Sequence, residues 1–285
     1  MKYEMTKPNN IFSLTKHLFT GVTALTLAAC TSSPPPPKTG LDDQPARMVS
    51  AFFGLDNALQ VLRYNGADGM PVTFSKRIAD PGSLESEAFT ITTRSGARLQ
   101  PLRVTTRPAS AASKRHTVLI IGEFGNEPGD PPVAVEVTGH LILAGGDNAQ
   151  GLSANVTPLK DGPSLVLAYA VNPKDLPGDV PPETKQIVVA VWNGGVTPME
   201  GVTDEDHRRG YSVETADGTV VQPIAIDDIG GDNYEYLYLN TDTTALSVSM
   251  ESGLLMDPRS DANPATSAGV AGASASASAS TLEDK

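Results

Sequence analysis

Residues 72–96 read VTFSKRIADPGSLESEAFTITTRSG, and this stretch decides the fold class. Asp80-Pro81-Gly82 is turn chemistry: the Asp carboxylate can bond the backbone two residues on, Pro presets φ, and Gly removes the Cβ restriction. Downstream, Phe89 and Ile91 alternate with Thr90 and Thr92, the period-two pattern of a strand with one buried face. Leu84, between turn and strand, is placed to plug the end of the layer that Phe89 and Ile91 enter. A strand, a tight turn and a second strand within 25 residues leave no room for a helical crossover.

The same rhythm continues outward in both directions. Alternating segments bounded by Gly, Pro, Asn and Asp predict strands over 48–54, 70–75, 88–93, 99–105, 116–123, 133–143, 152–157 and 164–171. Further strands are expected over 186–192, 211–214, 219–226, 234–240 and 245–250. Val135/Val137, Val189/Val191 and Leu237/Leu239 are same-face pairs. Residues 55–63 (LDNALQVLR) admit either a short helix or a loop. Strands of this length, with no βαβ alternation, predict an all-β chain of antiparallel sandwiches. The ordered part is too long for one such sandwich and suits two, with the boundary at TPLKDGP (157–163). The domains expected are thus 47–160 and 161–258, and the strand 164–171 fits either side.

Residues 72–96 resemble a motif of bacterial Ig-like domains found in surface and S-layer proteins. The matching residues are Phe74-Ser75, Ile78, Asp80-Pro81, Ser83-Leu84, Phe89, Ile91 and Ser95-Gly96. The resemblance covers about 25 residues and implies an Ig-like sandwich for the first domain. A second resemblance concerns the N-terminus. Lys2, Lys7 and Lys16 precede a short apolar run that ends in Leu27-Ala28-Ala29-Cys30, the build of a secretory leader. Leu-Ala-Ala-Cys resembles the lipobox of bacterial lipoproteins. It implies cleavage of the signal peptide 1–29, acylation of Cys30 and attachment to the membrane through lipid. The apolar run is too short to span a bilayer, which takes about 20 residues. Thr31, where Asp would favour inner-membrane retention, implies the outer membrane of the cell envelope.

Cys30 is the single cysteine, so an acylated protein has no thiol for a disulfide, and its cores alone must hold it. Residues 30–46, with four consecutive prolines, read as a semi-rigid polyproline tether. Residues 259–285, ending in SASASAS repeats, read as a disordered tail. The chain has 21 Lys+Arg and 33 Asp+Glu, and loss of the leader makes the balance more negative still. Such a charge excludes a nucleic-acid partner, whose phosphates need a basic face.

Chemistry-bearing motifs are sparse. G-x-S-x-G, S-x-x-K, the P-loop and G-x-G-x-x-G are absent, and no catalytic residue is assigned. His116, His140 and His207 lie far apart and read as surface or strand-edge histidines. Glu123 and Glu127 read as hairpin-loop residues, Trp192 as a buried inter-sheet aromatic, and Asp204, Glu205 and Asp206 as the first turn of a helix capped by Thr203. The one candidate cofactor is calcium. Asp227, Asp228, Asp232 and Asn233 crowd into the Gly-rich loop DDIGGDN and supply the oxygen donors that calcium takes. The competing reading of that loop is a polar β-turn. The function expected is a non-catalytic, membrane-anchored envelope lipoprotein whose Ig-like domains meet a protein or glycan ligand or make structural contacts. Two alternatives are a calcium-assisted hydrolase of envelope or extracellular polymers and an accessory subunit of an outer-membrane complex.

Overall fold

The computed structural model describes residues 44–176, 179–227 and 232–273. The leader, Cys30 and most of the tether lie outside them, as do Asp228 and residues 274–285. Strands make up most of the regular structure of the described residues, which otherwise hold one α-helix of seven residues and short 3-10 turns. Among the described residues no helix is long and apolar enough to cross a membrane.

The first sandwich is built from β1 (Met48–Phe52), β2 (Asp68–Phe74), β3 (Phe89–Thr93), β4 (Arg98–Leu99), β5 (Arg103–Thr105), β6 (Thr117–Gly122), β7 (Pro132–Val137) and β8 (Ser153–Thr157). Its strands hydrogen-bond in the order β4-β3-β7-β8-β1-β2-β6-β5. The sheet curls so that β4-β3-β7-β8 faces β1-β2-β6-β5, the arrangement of an Ig-like sandwich. Strand β1 joins the two layers, antiparallel to β2 and parallel to β8. The pairing of β1 with β8 departs from the all-antiparallel sheet expected. Between the layers lie Met70, Val72, Phe74, Phe89, Ile91, Val118, Ile120, Val135 and Val137, all fully buried. The turn at Asp80 forms as its residues dictate: Asp80 Oδ1 accepts from Gly82 N–H at 2.8 Å, and Leu84 packs against this core.

The second sandwich comprises β9 (Leu165–Val171), β10 (Gln186–Trp192), β11 (Thr197–Pro198), α1 (Asp204–Gly210), β12 (Tyr211–Thr215), β13 (Val220–Val221), β14 (Ala225–Asp227), β15 (Tyr234–Leu239), β16 (Ala245–Met250), β17 (Leu255–Met256) and β18 (Thr266–Ala271). Its main sheet runs β13-β12-β16-β18-β9-β10-β15-β14, with β11 and β17 paired as a separate ribbon. Element for element this repeats the first sandwich, including a parallel join, here β9 with β18. The correspondence reaches single hydrogen bonds. Phe74 N–H donates to His116 C=O, and Trp192 N–H donates to Asn233 C=O. Arg47 N–H is capped by Ser75 Oγ, and Ser164 N–H by Asn193 Oδ1, each at 2.9 Å. The molecule is two copies of one topology.

Three expectations are corrected. Residues 266–271, assigned by composition to a disordered tail, form β18, and the second sandwich runs past residue 258. Small side chains suffice there because β18 lies between β16 and β9, so its backbone is held on both sides, and Val270 reaches the core. Residues 99–105 and 219–226 each break into two short strands at Pro101 and Pro223, where the missing N–H interrupts the ladder. The run 133–143 stops as a strand at Val137: the Thr138 and Gly139 N–H groups both turn onto Ala88 C=O. Residues 55–63 form a loop without a helix, anchored where Asn57 N–H donates to Asp68 Oδ1 at 2.8 Å.

Helix α1 starts as predicted. Thr203 Oγ1 accepts from Asp206 N–H at 3.1 Å, and the Asp206 carboxylate accepts from Thr203 N–H, a complete capping box. The Arg208 guanidinium beside Glu205 holds its carboxyl down at about 2. Substituting Thr203→Ala is expected to destabilise the protein by about 1 kcal/mol. Urea titration with unchanged m-value checks this, and a variant as stable as wild type would show that the box contributes nothing.

Candidate functional site

The segment between β5 and β6 carries Ala109, Ser113, Lys114 and His116, and it lies on the tyrosine-rich outer face of the second sandwich. Period-two alternation along β15 points Leu237 and Leu239 into the core and Tyr234, Tyr236 and Tyr238 outward. Tyr169 OH donates to Ser113 C=O at 2.7 Å, and the Tyr236 hydroxyl lies 3.2 Å from Ser113 Oγ. Thr117 Oγ1 meets the Tyr234 hydroxyl at 2.9 Å and accepts from Asn233 Nδ2 at 3.2 Å. The centre of this contact is an ion pair, Lys114 Nζ to Asp232 Oδ2 at 2.8 Å, with both side chains 2% exposed. Lys114 Nζ also lies 5.8 and 5.5 Å from the ring centroids of Tyr234 and Tyr236. The two sandwiches therefore share a core, part apolar and part hydrogen-bonded.

Burial shapes the titration of this cluster. It pushes the Tyr169 and Tyr234 hydroxyls up. It also raises the Asp232 carboxyl, against the opposing bond from Lys114. His116 is wholly buried, its ring 4.8 Å from that of Tyr169 and its Nδ1 3.2 Å from Phe74 C=O. Burial drives its pKa down to about 3, so the imidazole is neutral at ordinary pH. His116 and His207 are thus buried rather than surface histidines, while His140 is exposed. The sequence offered one faint signal for this interface, the SKRH run immediately ahead of a strand.

Among the described residues the calcium candidates are not gathered into a ligand set. Asp227 is exposed at the end of β14, and Asp228 lies outside the described residues. Asp232 gives one oxygen to Lys114 and the other to Tyr234 N–H at 2.9 Å. Asn233 Nδ2 bonds Trp192 C=O at 2.7 Å. Two of the four expected ligands are therefore engaged by protein donors. Among the described residues no group of three or more His, Cys, Asp or Glu is placed to hold a metal ion.

A second buried polar cluster sits inside the second sandwich. Glu235 Oε2 accepts from Trp192 Nε1 at 3.1 Å and from the Tyr211 hydroxyl, tying β10 and β12 to β15. His207 Nε2 of α1 lies 2.9 Å from Glu235 Oε1, within ion-pair distance but out of line for a hydrogen bond. Trp192 is fully buried between the layers, as expected from sequence. This cluster satisfies a buried indole and carboxylate and offers no open face to a substrate.

Beside the shared core a groove of about 1000 Å³ opens on the first sandwich. Its floor is the outward row of β2, β5 and β6, where Pro71 pairs with Leu119 and Arg103 with Ile121. Leu55, Leu59, Val61 and Tyr64 of the loop after β1 form one wall, and residues 105–110 the other. Gly195, Asp232, Asn233 and Pro258 of the second sandwich close the end. A mostly apolar cleft of this size at a domain junction is the usual setting of a ligand site. No protein-family model matches the chain, and no curated protein is significantly similar to it.

Proposed function

We propose that the protein is a non-catalytic envelope lipoprotein, anchored through acylated Cys30, that presents two joined Ig-like sandwiches as a binding module. The single observation that carries the binding part is the apolar groove at the junction of the sandwiches. The Leu27-Ala28-Ala29-Cys30 run supports the anchor, because it stands only 18 residues ahead of the first strand. A polyproline tether of that length would hold the sandwiches close above the bilayer. The hydrolase reading requires paired carboxylates, or a His with an acid, facing a substrate. Asp232 is the one carboxylate among the described residues lining the groove, and it is already bonded to Lys114.

Mass spectrometry of protein extracted from native membranes tests the anchor. The expected species begins at Cys30 and carries two or three fatty acyl groups. An unmodified Cys30 with residues 1–29 still attached would overturn the reading.

A further inference from the structure

The two copies of the fold differ on one face, which one copy leaves open as a groove. In the second sandwich the outward row of β15 is Tyr234, Tyr236 and Tyr238, and Ala109, Ser113 and Lys114 cover the first two. The matching row of β6 is Thr117, Leu119 and Ile121. On that row the loop bearing Leu59 and Tyr64 buries Ile121 but leaves Leu119 partly exposed, and the groove remains.

Charge distinguishes the groove from the rest of the molecule. Residues 44–157 contain 10 Lys+Arg and 10 Asp+Glu, whereas residues 164–273 contain 5 and 17. The groove lies on the neutral half, and its two exposed cations, Arg103 and Arg107, take part in no ion pair among the described residues. Arg103 stands directly across from Ile121, so a guanidinium borders the apolar floor. Guanidinium groups bind carboxylate and phosphate through paired N–H donors, and the apolar strip beside them suits a hydrocarbon.

From this we infer that the groove binds a single amphiphilic anion, its hydrocarbon along Leu55, Val61, Tyr64 and Leu119 and its acidic head on Arg103 and Arg107. The inference deepens the binding role proposed above and does not depend on the anchor.

The test uses the full chain carrying Cys30→Ser, so that no acyl group of its own competes. Dodecanoate, well below its micellar concentration, is titrated by calorimetry in parallel with dodecyltrimethylammonium. Dodecanoate is expected to bind one-to-one and the cation not to bind. Arg103→Glu combined with Arg107→Glu should weaken dodecanoate by roughly tenfold or more. Val61→Asp, on the opposite wall, should also weaken it. Equal binding of both amphiphiles, no effect of the Arg pair, or no binding at all would overturn the inference. So would flotation with phosphatidylglycerol vesicles without dodecanoate binding, which would assign the arginines to a membrane surface. None of these results bears on acylation of Cys30, so failure of the ligand and failure of the anchor are read separately.

Discussion

Lys114→Ala is expected to lower the unfolding free energy by about 3–5 kcal/mol, the range for breaking a buried ion pair by removing one partner. The magnitude follows from what remains behind. Asp232 is as deeply buried as Lys114, and the loss of the ammonium leaves its carboxylate buried without that counter-ion. Ser113 and His116 flank Lys114 and hold contacts to Tyr169 and Tyr236, so the disturbance falls on the joint between sandwiches. Removing both charges has a different outcome. Lys114→Met with Asp232→Asn keeps the side-chain volumes and an oxygen for Tyr234 N–H, and is expected to cost less than about 2 kcal/mol. Guanidinium chloride titrations of wild type, Lys114→Ala and the double variant check the claim. A single variant within 1 kcal/mol of wild type would show that the pair lies in a wetter site than its burial indicates.

His116 sets the second large effect. Its folded pKa is about 3 against an ordinary value of 6.5, because burial disfavours the imidazolium, with the Arg77 charge acting in the same direction. Above pH 6.5 neither folded nor unfolded protein carries the proton. As pH falls towards 3 the unfolded chain takes it and the folded chain does not, so stability is lost across that window. The loss is on the order of 4 kcal/mol. Asp68, Asp232 and Asp257 work in the opposite sense: burial raises their folded pKa values, so their protonation favours the folded state as the solution is acidified. The His116 contribution is therefore isolated by comparison with His116→Phe, which keeps a ring against Tyr169 and cannot titrate. The variant should show a much shallower fall in stability from pH 6.5 to 4. Parallel pH profiles for the two proteins would assign the slope to other groups.

The all-β class and nearly every strand were legible in the sequence because a half-buried strand writes its burial into alternate residues. Phe89 and Ile91, or Val135 and Val137, carry that signal without reference to the rest of the chain. Strand β18 escaped because its residues, TSAGVA, show no such alternation; a position between two partners holds it. The duplication escaped for a related reason. Thr93, Gly96, Gln100 and Pro101 recur as Thr215, Gly218, Gln222 and Pro223 with constant spacing, all at the turn and break between short strands. Elsewhere equivalent positions carry different side chains, Phe74 against Trp192 and His116 against Asn233, because each copy packs its own core and its own neighbour.

The candidate site was less legible. Asp232 and Asn233 drew notice as oxygen donors in a Gly-rich loop, yet their bonds run to Lys114, Thr117, Tyr234 and Trp192. Three of these partners lie more than 40 residues away in sequence. An acidic cluster reads alike whether its partner is a metal ion or a distant lysine. The groove depends on which outer face a neighbouring segment covers, and that is set by how the two sandwiches meet. Periodicity within a strand does not record it.

Joining of the sandwiches through a shared core underlies both the stability effects and the preformed groove. Differential scanning calorimetry of the full chain tests it most directly. One endotherm is expected, with equal van 't Hoff and calorimetric enthalpies, since neither sandwich can melt without exposing Tyr234, Tyr236 and the Lys114–Asp232 pair. Two resolved endotherms, unaltered by Lys114→Ala, would contradict it.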